Sequence, residues 1–309
     1  MAKDVAIIGG TGFVGSYVVD ALHAAGHTTS LLVRAGSEDK VRRADGQRVT
    51  VGDIDDENAI RAVLQGCDAV IYLVGILRED RAKGITFRKM QYEGVVRVAD
   101  AAKSGGVLRF LLMSANGVEA EATPYQQTKL DAELYVEDIG MQFTVIRPSV
   151  IFGDPRGRME FATQLRNDMV NMPMPAVGFY SGLKPPGNPV LMSPVHAGDV
   201  ASAFVAALDD DSSIGETYEL CGPDVLSWNE MIRRVAAAVG KEKWILPMPI
   251  GLMRIAATAL DWLPVFPVTR DQLTMLQQNN VCSQNRIGLL LDRKPTAFAA
   301  KNLAYLQGR

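Results

Sequence analysis

Short apolar runs alternate with amphipathic stretches along the first half of the chain. The runs at residues 4–8, 27–34 and 68–75 are rich in β-branched side chains, which is typical of strands buried on both faces of a parallel sheet. Between them, residues 16–26 and 56–66 carry apolar side chains at helical spacing. This alternation predicts an α/β fold built on a Rossmann-type doubly wound parallel sheet with helices on its faces.

Four glycines follow the first apolar run, in the stretch GGTGFVG at residues 9–15. Their spacing fits both G-x-G-x-x-G and the related G-x-x-G-x-x-G. The first glycine allows a tight turn, Gly12 lets a pyrophosphate approach the backbone, and Gly15 lets the next helix pack on the strand. The N–H groups at that helix N-terminus would face the phosphates. An incidental glycine turn is the alternative. The flanking strand and helix favour a dinucleotide loop formed by Gly9, Gly10, Thr11, Gly12, Phe13, Val14 and Gly15.

The ends of the next strands carry candidate contacts for the rest of a dinucleotide. Arg34 stands where an NAD site would place an acidic side chain on the ribose 2′-hydroxyl. A guanidinium can instead pair with a 2′-phosphate, so we expect NADP(H) to be preferred, with NAD(H) left open. A solvated surface charge is the alternative role for Arg34. Asp53 could accept from the adenine amino group, and the fourth strand ends beside the expected cofactor at Leu73, Val74 and Gly75.

A second constellation begins where the fifth strand is predicted to end, at Ser114. Tyr125 and Lys129 stand four residues apart at the start of a predicted helix, so both point from one helix face. An ammonium near a phenol lowers the phenol pKa, and such a tyrosine can exchange a proton with a substrate oxygen. Lys129 could also bond the nicotinamide ribose. A surface tyrosine–lysine pair is the alternative, and the upstream loop favours a catalytic set of Tyr125, Lys129 and Ser114.

Composition limits the remaining function classes. The formal net charge of -3 lacks the basic excess of a nucleic-acid binder, so we expect no nucleic-acid partner. The three histidines are not spaced like a metal site, so we expect no metal. Cys67, Cys221 and Cys282 form no C-x-x-C pair, which favours reduced thiols in the cytoplasm. We see neither a signal peptide nor an apolar run of about 18 residues, so we expect a cytoplasmic protein without a transmembrane segment.

Several motifs resemble the short-chain dehydrogenase/reductase superfamily in its extended or atypical branch. They are GGTGFVG, GDIDD, PYQQTK and RPSVIFG, at residues 9–15, 52–56, 124–129 and 147–153. Further stretches, among them LLMSANGV and SPVHAGDVASAFVAAL, are similar to bacterial relatives of the NADPH-holding accessory subunit of mitochondrial respiratory complex I. Members of that group are often called NAD-dependent epimerase/dehydratase-like proteins, and related ones are tied to ubiquinone biosynthesis.

The resemblance implies NAD(P) at the carboxyl ends of the strands. It adds four cofactor residues, Ile54 for the adenine and Pro148, Ser149 and Val150 for the nicotinamide. Two positions depart from the superfamily. Gln91 stands where a structural asparagine is usual, and Ser114 lies outside a serine-rich run. Cofactor binding is therefore better supported than a complete proton relay.

Beyond residue 150 the pattern changes. Residues 171–189 are rich in proline and glycine and are predicted to form a loop region that covers the active site. A predicted strand and helix at about 190–210 return to the Rossmann core. We therefore predict an NAD(P)-binding domain at 1–150 plus about 190–210, and a smaller, partly interleaved C-terminal domain for substrate or partner at 151–189 and 211–309.

Residues 250–263 are predicted to form a helix that is apolar nearly all round, with a thin polar stripe of Arg254, Thr258 and Asp261. It is too short to span a bilayer. One interpretation is a buried helix or a subunit interface. The other is a patch for a membrane surface, a lipid-tailed substrate or a respiratory partner, which would place the protein at the inner face of the membrane. The oligomeric state stays open.

Two functions are compatible with these patterns. The first is an NADP(H)-dependent oxidoreductase of a carbonyl, alcohol or quinone-related molecule, with a sugar-nucleotide epimerase or dehydratase as a variant of this class. The second is a non-catalytic nucleotide-binding protein that serves assembly of a respiratory or ubiquinone-synthesising complex. The intact Tyr125–Lys129 pair favours the enzyme, but a fold alone does not decide between the two functions.

Overall fold

The structure is a computed structural model that describes residues 1–42, 46–120, 123–182, 187–251 and 278–307. These residues form fourteen strands, β1 to β14, at Asp4–Ile8, Thr28–Val33, Gln47–Val51, Ala69–Tyr72, Arg109–Met113, Gln142–Pro148, Ile151–Phe152, Ala176–Ser181, Asn188–Pro189, Leu191–Met192, Val195–His196, Glu216–Leu220, Leu226–Ser227 and Ile245–Pro249. They also form seven α-helices, α1 to α7, at Phe13–Ala24, Glu57–Leu64, Gly94–Ser104, Pro124–Asp138, Phe161–Leu165, Ala197–Asp209 and Trp228–Ala238.

Seven of these strands build one parallel sheet in the order β12-β6-β5-β4-β1-β2-β3. The register pairs Ile8 with both Leu32 and Tyr72, so β1 lies between β2 and β4. The chain first proceeds from β1 to β2 and β3, and then crosses back to β4 on the other side of β1. The direction of strand order reverses at β1, which is the arrangement of a doubly wound sheet. The predicted Rossmann-type fold is confirmed.

Helices cover both faces of this sheet because successive strand residues point to opposite sides. Ala6 and Ile8 belong to a buried cluster that also contains residues of α2, α3 and α4. On the opposite face Ile7 lies close to Gly10 and Val19, and α1 packs against α6. The residues of β1 and β4 are almost all fully buried, which explains why these runs read as continuous apolar segments.

The chain divides into two compact units by packing. The first contains Met1–Pro148, Ala197–Leu220 and Asn285–Arg293, and the second contains Ser149–His196, Cys221–Gln284 and Lys294–Arg309. The domain bounds given by the sequence stay a prediction.

The second unit has a core of its own. Phe152, Trp228, Phe298 and residues of α5 and α7 form a buried apolar cluster. Its largest sheet has three strands in the order β14-β8-β9. The predicted apolar helix at 250–263 falls almost wholly outside the described residues, which stop at 251 and resume at 278. No helix among the described residues is long and apolar enough to cross a membrane.

The expectation of three reduced thiols is wrong for two of the cysteines. Cys221 and Cys282 form a disulfide, with their Cα atoms 5.9 Å apart, whereas Cys67 is a buried thiol. The two partners are separated by 61 residues along the chain. Sequence spacing does not report this proximity, because the fold and not a local motif brings the two segments together.

Candidate functional site

The glycine stretch forms the turn that joins β1 to α1. Gly9 has φ 95°, and the N–H of Gly12 donates to the carbonyl of Gly9 at 3.0 Å. A Cβ on Gly15 would lie 2.1 Å from the Gly9 carbonyl oxygen, so the helix can approach the turn this closely only with glycine there. Gly12 precedes the first helical residue and adds no side-chain cap. The N-cap position of α1 thus contributes no side-chain cap, which suits a phosphate.

The turn lies against the end of β4. A Cβ on Gly9 would meet the backbone of Leu73 and Val74 at 3.2 Å, and the N–H of Leu73 donates to the Ile8 carbonyl at 2.9 Å. One residue further on, the Cβ position of Gly75 lies 3.5 Å from Nζ of Lys129. The structure therefore brings the glycine loop, the end of β4 and the predicted catalytic lysine together at one edge of the sheet. Thr11, Phe13 and Val14 belong to the same turn and first helical turn.

The ends of β2 and β3 carry the candidate adenosine contacts. Arg34 follows β2 and is exposed, and its carbonyl accepts from the N–H of the buried Ser37 at 3.0 Å. Asp53 follows β3, and its Oδ1 accepts from the N–H of Ile54 at 2.6 Å. Ile54 is buried beneath this turn. β2 is adjacent to β1, and β3 is adjacent to β2. These residues therefore follow strands on one side of β1, the strand at which the strand order reverses and beside which open parallel sheets bind their ligands.

Lys129 reaches the site from the buried face of α4. This helix starts at Pro124 and has a capping box formed by Thr123 and Gln126. Lys129 is only 3% exposed, and Nζ donates to the Met113 carbonyl at 2.8 Å. Burial lowers the pKa of Lys129 to about 8, against a smaller opposing effect of Glu133. This lysine is therefore a group whose charge changes near neutral pH.

Tyr125 has a different electrostatic environment from the one expected. Burial raises its pKa to about 12, whereas the sequence predicted a pKa lowered by Lys129. Its ring packs edge-on against Phe87, with the ring centroids 5.6 Å apart. Desolvation by burial disfavours the phenolate here. The Lys129 ammonium donates to the Met113 carbonyl at the end of β5.

Ser114 directly follows β5, and its N–H donates to the Ile146 carbonyl at 2.8 Å. Its Oγ is buried and makes no hydrogen bond within the described part of the chain. Most buried hydroxyls have a partner, and leaving one without costs about 1–3 kcal/mol. A bound molecule that hydrogen-bonds to this oxygen would remove that cost.

Two polar groups that sequence reasoning did not assign to the site support α4. Gln91 is buried in a π-helical turn at Arg88–Glu93, where its Nε2 donates to the Ile76 carbonyl and its Oε1 accepts from Thr128. Its amide therefore ties the chain after β4 to the residue before Lys129. The superfamily departure at this position was visible in the sequence, but the hydrogen bonds that the glutamine makes were not.

The second group is a buried ion pair. Glu133 is 1% exposed and accepts from Arg147 of β6 through both carboxylate oxygens. A lysine and a glutamate one turn apart on a buried helix face are rare enough to signal a site, because charged side chains are seldom buried without partners. The spacing of Lys129 and Glu133 alone could not show this, because lysine–glutamate pairs four residues apart are also common on exposed helix faces.

Pro148 ends β6, and its carbonyl accepts from the N–H of Asn116 at 2.9 Å. Ser149 and Val150 open the second compact unit. There Ser149 Oγ donates to the Ser193 carbonyl, and the N–H of Val150 donates to Oδ1 of Asn280 at 2.8 Å. Their assignment to the nicotinamide stays a prediction.

The residues at this edge fit a dinucleotide. The loop leaves no room for a Cβ at Gly15, and α1 begins without a side-chain cap. The buried Ser114 hydroxyl has no hydrogen-bond partner among the described residues. Together these features suit a pyrophosphate at the helix N-terminus and a polar ligand atom near the end of β5.

Comparisons with known proteins identify the family of this chain. The profile of the NAD(P)H-binding family matches residues 9–174. Mitochondrial NADH dehydrogenase (ubiquinone) 1 alpha subcomplex subunit 9 of Arabidopsis thaliana is 29% identical over 295 residues, which cover 91% of this chain and 70% of the relative. UDP-glucose 4-epimerase of Vibrio cholerae is 24% identical over 279 residues, which cover 82% of this chain and 81% of the relative.

A solved structure has the same fold. The NADPH-dependent quinone oxidoreductase of Escherichia coli superposes with a TM-score of 0.71 at 17% identity, and the match covers 96% of this chain and 98% of that one. The match to the family model identifies an NAD(P)H-binding protein, and it supports a nicotinamide cofactor. The chain belongs to the NAD(P)H-binding family, in the extended, NAD-dependent epimerase-like branch of the short-chain dehydrogenase/reductase superfamily.

Proposed function

We propose that this protein is an NADP(H)-dependent oxidoreductase that interconverts a carbonyl and an alcohol, or a quinone-related compound and its reduced form. One observation carries the proposal. The glycine loop, Gly75, the buried Lys129 and the unpartnered Ser114 Oγ lie at the carboxyl edge of one sheet within the described residues. This is where open α/β sheets bind their ligands.

The cofactor would supply or accept a hydride when bound. In the reducing direction Tyr125 would donate its phenolic proton to the substrate oxygen, and the same residue would recover that proton in the reverse direction. Tyr125 carries its proton at neutral pH and can donate it, but burial makes it a weaker acid than a free tyrosine. Ser114 Oγ would hold the substrate oxygen, and Lys129 would exchange its bond to Met113 for the nicotinamide ribose.

The preference for NADP(H) rests on Arg34. This side chain is exposed at the end of β2, where it is accessible to a 2′-phosphate. Asp53 and Ile54 would contact the adenine, while Ser149 and Val150 stay proposed for the nicotinamide. The proposed substrate class is supported by the solved structure of an NADPH-dependent quinone oxidoreductase, which has the same fold.

Steady-state reduction of a panel of carbonyls and quinones by NADPH tests the catalytic proposal. Tyr125→Phe should lower kcat by about 10²-fold or more with NADPH affinity retained, because general acid catalysis contributes about 10²–10⁴-fold. Tyr135→Phe is the matched control, since it removes a tyrosine hydroxyl from the same helix, one that is bonded to Asp100. Full turnover by Tyr125→Phe would refute the assigned acid.

A non-catalytic role is the second candidate, and one observation favours it. Burial and the Phe87 contact hold Tyr125 at a pKa of about 12, so the site lacks a pre-activated phenolate. The Arabidopsis relative is a subunit of NADH dehydrogenase. In this role the dinucleotide would stabilise the fold, and partner proteins would be recognised elsewhere on the surface. NADPH binding without turnover of any substrate in the panel, together with recovery in a large membrane complex, would support it.

A further inference from the structure

The disulfide of the second unit joins two segments that lie far apart in the chain. Cys221 comes directly after β12, and Cys282 belongs to the segment that resumes at residue 278. The N–H of Cys282 also donates to Sγ of Cys221 at 3.0 Å. Cys221 is buried, whereas Cys282 is only half-buried. Cys282 is therefore the more exposed end of the bond.

Asn280, two residues before Cys282, is bonded in three directions. Its N–H donates to the Leu191 carbonyl at 2.8 Å, and its carbonyl accepts from the N–H of Ser193 at 2.9 Å. Its side-chain Oδ1 accepts from the N–H of Val150 at 2.8 Å. The segment that carries Cys282 thus supplies the partner of the Val150 amide.

The segment that carries Cys221 contacts Ser193 and Pro194, which lie between β10 and β11. The N–H of Gly222 donates to the Ser193 carbonyl at 3.2 Å, and this carbonyl also accepts from Ser149 Oγ. A Cβ on Gly222 would lie 1.8 Å from the Pro194 carbonyl oxygen, so the two backbones are in close contact. Both cysteine-bearing segments are therefore hydrogen-bonded to Ser193. Ser193 in turn is bonded to Ser149, and Asn280 is bonded to Val150.

We propose that the Cys221–Cys282 disulfide is a redox-responsive staple. In the oxidised state it fixes the Asn280 segment against Val150, and its reduction releases that segment. A dithiol reductant would break the S–S bond and leave two protein thiols, while the reductant itself becomes a disulfide, so two electrons and two protons are transferred. The bond closes a loop of 61 residues, so its loss gives much conformational freedom back to the chain.

The hydrogen bonds alone would hold the segment less firmly after reduction. Each contributes only a modest net free energy, because water satisfies the same groups when the segment opens. Local opening of the Asn280 segment should then become frequent without global unfolding. Ser149 and Val150 are also predicted nicotinamide contacts. On that assignment, which rests on the proposed function, reduction also weakens NADPH binding.

Hydrogen exchange of the native protein, oxidised and after treatment with dithiothreitol, tests the staple. The amides of Val150, Ser193 and Asn280 should exchange about tenfold or more faster after reduction, while those of β1 keep their rates. Cys221→Ser combined with Cys282→Ser should exchange like the reduced protein under both conditions. Cys67→Ser, which removes the buried thiol of the first unit, should respond like wild type.

Thiol counting accompanies that experiment. Denatured protein purified without reductant should expose one thiol, and dithiothreitol applied to the native protein should raise the count to three. Equal exchange rates in the two states would overturn the staple, as would a bond that dithiothreitol leaves intact or three thiols from the start. NADPH affinity is measured in parallel. Faster exchange with unchanged affinity keeps the staple and refutes the assignment of Ser149 and Val150 to the nicotinamide.

Discussion

Lys129 carries an ammonium group that is almost completely buried. Burial lowers its pKa to about 8, against about 10.4 for an unfolded chain. Between these values the unfolded state binds more protons than the folded state. The linkage relation therefore makes stability rise with pH from about 8 to about 10. The cost of the buried charge is present below this window and disappears as the lysine loses its proton.

Replacing this lysine should remove its contribution to the pH dependence of stability. Between pH 8 and 10, the free energy of unfolding of wild type should rise relative to that of Lys129→Met by up to about 1.4 kcal/mol per pH unit. Urea unfolding at several pH values measures the difference. Lys103→Met is the control, since Lys103 also donates to a backbone carbonyl but is exposed. A wild-type curve parallel to that of Lys129→Met would show that the buried ammonium is not the cause.

A substitution at Gly15 tests the described geometry of the glycine loop. Gly15→Ala would place a methyl group 2.1 Å from the Gly9 oxygen, so the turn or α1 must move. We expect a loss of about 1–3 kcal/mol of stability, typical of overpacking, together with weaker NADPH binding. Gly288→Ala is the matched control, because no atom lies within 4 Å of its added Cβ. Denaturant unfolding and NADPH titration of both variants give the comparison, and equal behaviour would contradict the described turn.

Among the elements, α4 shows best what a sequence does and does not reveal. Pro124 and the capping residues are local signals, and the helix begins at the predicted place. The four-residue spacing of Tyr125 and Lys129 was also readable. Their different environments could not be read from the sequence, because they depend on the contact of Tyr125 with Phe87 and on the hydrogen bond of Lys129 to the Met113 carbonyl. The expected lowering of the Tyr125 pKa failed for this reason.

The ion pair between α4 and β6 gives a prediction for the element. Glu133→Gln would remove the carboxylate to which the half-buried Arg147 donates, and breaking a buried pair costs about 3–5 kcal/mol. Glu57→Gln removes one partner of the exposed Arg61–Glu57 pair of α2 and should cost under about 1 kcal/mol. Thermal unfolding of the two variants measures this contrast. Similar losses of stability in both variants would show that burial does not determine how much these ion pairs contribute to stability.

For the whole molecule, the parallel sheet followed from the sequence because its strands are buried on both faces and read as continuous apolar runs. The glycine loop followed because backbone geometry requires particular residues at fixed spacing. The Cys221–Cys282 disulfide and the bonds of Asn280 did not follow. They join residues separated by 61 and 130 positions, and only the folded chain brings such residues together.

Cofactor binding should also stabilise the whole chain. A ligand that binds only the folded state adds about 2.7 kcal/mol at a concentration of 100 times its Kd. We therefore expect a higher Tm with NADPH than with an equal concentration of NADH, measured by thermal shift. Gly15→Ala should show a smaller shift with NADPH. An identical Tm with and without both nucleotides would show that the folded chain binds neither at those concentrations.

The most direct test of the account is a fluorescence titration of the purified protein with NADPH and NADH, repeated with Arg34→Ala and Arg42→Ala. Arg42 is the matched control, because it is an arginine of the same region that pairs with Asp20 instead. The account predicts that wild type and Arg42→Ala bind NADPH more tightly than NADH, and that Arg34→Ala loses the difference. Tighter binding of NADH by wild type, or no binding of either nucleotide, would contradict it.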